Sequence, residues 1–529
     1  MGLSMWHGLE LVIGLSYGLA AAYLILYGLH MHMLVWLFRR RRVSSAQSQR
    51  DRVERYAAQR PDEDWPVVTT QIPLFNEANV ARRVIEATAG MDYPVRRHEI
   101  QVLDDSTDET RSIVDSVAAE LRRSGRDVTV VRRPNRAGYK AGALAHGLER
   151  ARGDIIVVFD ADFAPPSDFL RRGVPLLMDK PRNACVQGRW SHLNEGHSWL
   201  TRAQSLAIDG HFAVEQGGRC WNNLLMNFNG TAGLWRRSAI EDPAVGGWSA
   251  ETLTEDLDLS YRAQLAGWRI EYCMDLACPA ELPETVPALR IQQFRWAKGS
   301  IQCARKLLPR IWRSDLPIAC KLEATMHLTG YGISVAMLVL GLLSLPMYWI
   351  NAYAAIGRGT VVIALFMWVA LMGPPVAHVY SRSVIKGRWT GFAANPSLML
   401  LGVGLCLSTS IACLSGLLFR GGEFVRTPKT GNGGDKSERQ HARSSRVGQK
   451  RYRMRSSAMW QVELGAVAYC AFSFWYFLTA SEAVVGAFLA VFAFGFALVG
   501  WQSRPGERGR KPPPGSMPLG PPRIKATIK

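Results

Sequence analysis

Ile155-Ile156-Val157-Val158-Phe159-Asp160-Ala161-Asp162 sets an unbroken apolar run directly against two carboxylates. A short apolar run of mostly β-branched residues reads as a strand buried on both faces. Side chains two apart lie on the same side of extended backbone, so Asp160 and Asp162 leave the strand's carboxyl end together. The same pattern recurs upstream. Val67-Val68-Thr69-Thr70-Gln71-Ile72-Pro73 stops at proline before Leu74-Phe75-Asn76-Glu77, residues 98–103 end at Asp104-Asp105-Ser106, and residues 127–132 supply another strand. Strands alternating with helical stretches predict a parallel, doubly wound sheet, whose ligands collect at the carboxyl ends of its strands.

Around this pattern the chain divides into two environments. A length of 529 residues leaves room for one soluble domain of about 250 residues and several membrane helices. The apolar run 11–38 ends abruptly in Arg39-Arg40-Arg41-Arg42. It is long enough to cross a bilayer, and its basic flank predicts a cytoplasmic C-terminal end. The run is too long, and its charge on the wrong side, for a cleaved signal peptide. Arg52, Arg55 and Arg60 carry the basic flank onward, which puts the catalytic region on the cytoplasmic side. Further apolar runs cover 324–350, 359–380, 397–419, 462–478 and 483–501. If all of them crossed, Arg439, Arg443, Arg446, Lys450, Arg451, Arg453 and Arg455 would fall outside, as would the basic tail. Making 397–419 re-entrant or interfacial returns both to the inside and leaves about five spans. The expected organisation is an anchor at 1–42, a catalytic domain at 60–313, amphipathic and membrane helices at 314–419, a cytoplasmic loop at 420–459, a membrane hairpin at 460–501 and a basic tail at 502–529.

The net charge of +19 sits mainly beside apolar runs, where Lys and Arg orient helices and meet anionic headgroups. With no zinc-finger or RNA-binding signature, nucleic acid is not an expected partner. The nine cysteines form no C-x-x-C pair and read as reduced packing residues.

Four clusters carry chemistry. Two oxygen ligands at Asp160 and Asp162, with the remaining positions left to water and phosphate, suit Mg2+ or Mn2+. Asp104-Asp105-Ser106-Thr107-Asp108 and Thr254-Glu255-Asp256-Leu257-Asp258-Leu259 each sit at the start of a helical pattern. Gln292-Gln293-Phe294-Arg295-Trp296 lies on an amphipathic stretch, with Phe294 on its apolar side. Taken singly, each is equally well a turn, a helix cap or a solvated helix face. Their fixed order is the stronger signal.

From about residue 67 to 306 these phrases resemble the family 2 inverting glycosyltransferases of the cellulose-synthase-like type. The resemblance includes Gly138-Tyr139-Lys140-Ala141-Gly142-Ala143-Leu144 and Phe228-Asn229-Gly230-Thr231-Ala232-Gly233, phrases close to those of plant glucomannan 4-beta-mannosyltransferases and bacterial relatives. It implies a catalytic domain of glycosyltransferase A type, with a Rossmann-like, mixed, mostly parallel sheet, joined to a helical membrane region. It implies that Glu77, Asp104, Asp105, Lys140 and Asp160 face a nucleotide-sugar donor and that Asp160 and Asp162 hold the metal diphosphate. Asp256 matches the general base. Gln292, Arg295 and Trp296 match the Q-x-x-R-W element, with Arg295 facing the departing phosphates and Trp296 the acceptor sugar. Gly230 and Thr231 fall on the acceptor side.

Phe424-Val425-Arg426-Thr427-Pro428-Lys429 resembles the F-x-V-T-x-K gating loop of cellulose synthases, with Arg426 in place of valine. Phe424, Thr427 and Lys429 are its matching positions. Lys306, Arg310, Arg313 and Lys321 alternate with apolar residues over 300–321, a blend suited to a bilayer surface. The resemblance therefore implies a processive hexosyltransferase that adds mannose or glucose from GDP-mannose or UDP-glucose to a beta-linked polysaccharide and extrudes it. The alternative is transfer to a membrane lipid, because ceramide glucosyltransferases share the aspartates and a similar R-W element. The implied partners are a nucleotide sugar, a glycan or glycolipid acceptor and the bilayer.

Overall fold

The computed structural model describes residues 2–350, 359–427, 429–431, 458–480 and 482–504. Seven strands form one sheet: β1 Val68–Leu74, β2 His98–Asp104, β3 Asp127–Val131, β4 Ile155–Val158, β5 Asn183–His192, β6 Gly233–Arg236 and β7 Arg269–Ala280. Their order is β3-β2-β1-β4-β6-β5-β7. β6 runs antiparallel to both its neighbours, and every other pairing is parallel. This is the mixed, mostly parallel sheet of a glycosyltransferase A fold.

β2 shows how a polar sequence becomes a central strand. All seven of its residues are buried, including His98, Glu99 and Gln101. Each finds a partner on β1: Thr69 Oγ1 donates to Glu99 at 2.5 Å, His98 Nε2 lies 2.9 Å from Thr70 Oγ1, and Gln71 Nε2 donates to Gln101 at 3.1 Å. Paired polar groups escape the penalty that unpaired ones incur on burial. Two apolar layers flank the sheet, one built around Ile72, Val84, Phe169 and Leu176 and the other around Leu144, Ile156, Trp235 and Tyr272.

The first helix, Gly2–Gln59, runs unbroken through the boundary expected at residue 42. At about 1.5 Å per residue it is roughly 87 Å long. Its distal end is fastened to β7 and its surroundings: Gln49 Nε2 donates to Tyr272 O at 2.8 Å, and Arg52 pairs with Asp179 at 2.9 Å and with Glu271. The N-terminal apolar run and the seven-stranded sheet are therefore joined by one continuous helix.

Among the described residues, five helices are long and apolar enough to cross a membrane: Trp6–Gln59, Gly332–Trp349, Phe392–Leu418, Met459–Thr479 and Val485–Gln502. Their number matches the sequence expectation, but their membership differs. The run set aside as re-entrant forms a continuous helix, Asn395–Leu418, packed against helices Val286–Arg313 and Ala483–Gln502. Helix Gly359–Lys386, which holds Pro374, Pro375 and Arg382, is not in the set. The arginines and lysines at 439–455 that drove the parity argument lie outside the described residues, as does the tail beyond Arg504.

Candidate active site

The strand ends deliver the first carboxylates. Asp160 follows β4, and its amide donates to Thr231 Oγ1 at 2.9 Å, which fixes the turn that presents Asp160 and Asp162. Asp105 follows β2 and receives both arms of Arg133, Nε at 3.0 Å and a terminal nitrogen at 2.5 Å. Asp104, the last residue of β2, is buried. It accepts from Arg132 Nε at 2.9 Å and from Ser106 N at 3.0 Å.

Three helices supply the rest. Helix Tyr139–Leu148 carries Lys140 in its first turn, with Nζ 2.5 Å from Asp160 Oδ1, 2.8 Å from Gly230 O and 3.8 Å from Glu255 Oε1. Helix Glu255–Leu265 begins with Glu255 and Asp256, where the helix dipole favours carboxylates. Helix Val286–Arg313 is capped by Thr285 and carries Gln292, Arg295 and Trp296. Positions i, i+3 and i+4 share one helix face, so Q-x-x-R-W aims three side chains at one place. Phe294 turns instead toward Ala412 and Cys413 of the Asn395–Leu418 helix.

These residues meet around one cavity. Glu77, Asp105, Lys140, Asp160, Asp162, Gly230, Asp256, Gln292, Arg295, Trp296, Phe424, Thr427 and Lys429 all contribute to its wall, whereas Asp104 and Thr231 do not. About 170 Å³ is free, below the roughly 300–1,000 Å³ usual for ligand pockets. Phe424, Arg426, Thr427 and Lys429 reach into it: Lys429 Nζ lies 2.6 Å from Asp162 Oδ2, and Phe424 stacks near Tyr139 with the Arg295 guanidinium 4.1 Å from its ring centre.

Burial sets the protonation behaviour. It pushes the Asp256 carboxyl up to about 7, helped by Glu255 and opposed by Lys140. Burial likewise raises Glu77 to about 8 against the pull of Arg426. For Lys140 burial works the other way, but Asp160 and Glu255 outweigh it and hold the ammonium's pKa above its usual value. Arg295 is lowered by burial, with Glu255 and Asp160 opposing. A carboxyl poised near neutrality beside a cationic clamp is suited to general-base work.

Residues 66–299 match the family described as glycosyltransferase like family 2. The match spans under half of the chain, the part that holds all seven strands of the sheet. Over 255 residues the chain is 44% identical to glucomannan 4-beta-mannosyltransferase 2 of Arabidopsis thaliana, covering 47% of this chain and 47% of that protein. Over 267 residues it is 42% identical to glucomannan 4-beta-mannosyltransferase 1 of Oryza sativa subsp. japonica, covering 48% and 50% respectively. The chain thus spans about half the length of the curated relatives it matches. Among solved structures, the mannosyltransferase from Pyrobaculum calidifontis in complex with GDP-Man and Mn2+ aligns at 20% identity with a TM-score of 0.47, over 75% of this chain and 99% of that one.

Several side chains of the cavity, or their roles in it, escaped the sequence reading. Trp190, at the end of β5, packs near Trp296 with ring centres 6.4 Å apart and extends its aromatic wall. Arg133 orients Asp105. Arg426, the residue that departs from the gating pattern, pairs with Glu77 at 3.2 Å. Nothing in the local sequence marks Trp190 or Arg133, or the pairing of Arg426 with Glu77, because each acts through a partner elsewhere in the chain.

The candidate metal seat is narrow. Asp160 and Asp162 each already meet an ammonium, from Lys140 and Lys429. Among the described residues no three His, Cys, Asp or Glu side chains gather around one point. Two carboxylates fit a cation that takes its other ligands from substrate phosphates and water, the usual habit of Mg2+.

Proposed function

We propose that this protein is a membrane-embedded, processive, inverting hexosyltransferase that extends a beta-linked polysaccharide from a nucleotide sugar and passes the product across the bilayer. The observation that carries the reading is the convergence of Asp162, Asp256, Arg295 and Trp296, far apart in sequence, on one cavity. The donor is GDP-mannose or UDP-glucose, and the glucomannan mannosyltransferase relatives favour mannose.

Asp256 takes the proton of the acceptor hydroxyl as that oxygen attacks the anomeric carbon. The bond from that carbon to the diphosphate breaks on the opposite face, so an alpha-linked donor yields a beta product. Base catalysis of this kind contributes about 10² to 10⁴ in rate. Arg295 and Lys429 meet the charge that develops on the leaving phosphates. Asp160 and Asp162 would hold Mg2+ or Mn2+, which would neutralise the diphosphate. Trp296 and Trp190 offer flat apolar faces to the acceptor sugar, and Asp105, held by Arg133, faces the nucleotide.

The catalytic domain lies on the cytoplasmic face, where its anchor's basic flank would hold it. The segment seated in the cavity favours a polymer over a lipid acceptor, since it encloses the donor while the growing chain stays bound. Membranes containing the protein are to be incubated with each radiolabelled donor and the product digested with linkage-specific hydrolases. A high-molecular-weight product released by a beta-mannanase or beta-glucanase is expected. Label confined to the lipid extract would refute the polymer reading.

A further inference from the structure

One carboxylate in the cavity wall has been given no role. Glu281 directly follows β7, and its side chain is 1% exposed. Its Oε1 accepts from Thr430 N at 2.9 Å, Thr430 Oγ1 at 2.6 Å and Gly431 N at 3.0 Å, and its Oε2 from Arg83 at 3.2 Å. Its carbonyl receives Lys429 Nζ at 3.0 Å, and its amide donates to Asp162 O at 3.2 Å. Residues 429–431 therefore converge on one acidic residue whose backbone is tied to Asp162. Hydrogen bonds to an ionised acceptor are the strong ones, and a buried carboxylate stripped of partners is expensive.

A second feature, on the segment itself, fits the same docked position. Gly431 has φ +76, and a Cβ there would lie 2.6 Å from Asn79 O. Asn79 Nδ2 in turn donates to Lys429 O at 3.0 Å. Only glycine both adopts that backbone and allows so close an approach.

We propose that Glu281 is the positioning residue that docks the closing segment, fixing residues 429–431 so that Lys429 is delivered to Asp162 at the diphosphate end of the cavity. The meaning of that delivery rests on the glycosyl-transfer reading, but the docking is measurable without turnover. The probe is hydrogen–deuterium exchange of the Thr430 and Gly431 amides in the full-length protein, in lipid nanodiscs. Glu281→Ala is expected to speed their exchange by about tenfold or more, the equivalent of losing one or two hydrogen bonds, while β7 amides stay protected. Glu281→Gln keeps one carbonyl acceptor and should restore part of the protection. Gly431→Ala should produce the same acceleration, and the double variant should exceed neither single one. With turnover, donor KM should rise in Glu281→Ala by more than kcat falls. Unchanged exchange at Thr430 and Gly431, acceleration spread through β7, or additive effects in the double variant would each overturn the proposal. If no sugar transfer is found at all, the exchange result still decides whether the dock exists.

Discussion

Asp256→Asn separates the chemistry of the site from its stability. Asp256 is half-buried in the cavity wall, and desolvation there, with Glu255 alongside, raises its carboxyl to about 7 from a usual 3.8. A base must be ionised to work. Activity of the parent should therefore rise about tenfold per pH unit below 7 and level off above it. Asparagine keeps the shape and the carbonyl oxygen that accepts from Leu257 N at 2.9 Å, yet it has no basic lone pair to offer the acceptor. The substitution should lower kcat by about 10² to 10⁴ and abolish the limb at pH 7.

The same shift fixes the sign of the stability change. A carboxyl whose folded pKa lies above its unfolded value favours the protonated fold. Its stabilisation is complete below the unfolded value and is lost as pH rises through the folded value, here about 7. Ionised Asp256 at pH 8 thus burdens the fold by something on the order of 2–4 kcal/mol, which asparagine removes. Thermal melts at pH 4 and pH 8 should show the variant close to the parent at the lower pH, near the unfolded carboxyl's pKa, and more stable at the higher one. Equal activity in the two proteins, or an asparagine variant less stable at pH 8, would refute the assignment of Asp256 as a desolvated base.

Three further outcomes follow from the geometry. Gly230→Ala places a Cβ 2.8 Å from Asp256 Oδ2 on backbone with φ +82, so a strain of about 1–2 kcal/mol and a displaced base should cut kcat by about tenfold or more, with a normal circular dichroism spectrum. Arg426→Val removes the guanidinium 3.2 Å from Glu77. With Glu77 protonated below about pH 8, stability at pH 7 measured by thermal melting should fall by about 1.5–3 kcal/mol, the worth of a hydrogen bond to a charged group, and adding Glu77→Gln should change it little. Chelation should abolish transfer, with Mn2+ or Mg2+ restoring it, and Asp162→Ala should weaken Mn2+ binding measured by electron paramagnetic resonance in the presence of nucleoside diphosphate.

What the sequence revealed follows from where the determining interactions lie. β1 to β4 were legible because their apolar or β-branched runs stop at punctuating residues, as at Phe159-Asp160. β5, β6 and β7 were not. β5 ends in Gly188-Arg189-Trp190-Ser191-His192, β6 has four residues, and β7 shares an irregular register with β5, so none has the periodicity of a buried strand. The motif spacing of Gln292, Arg295 and Trp296 carried through to geometry because a helix converts it directly into a shared face. Asp104 and Asp105 show the limit of that logic. They are adjacent and chemically identical, yet one is locked under Arg132 and the other opens on the cavity, a split that alternation along β2 imposes but composition does not display. Glu281 marks the same limit at longer range, because its value comes from Thr430 and Gly431, about 150 positions away. A buried acid becomes a dock only when the fold brings its donors to it, and the return of the chain from the Asn395–Leu418 helix does that here.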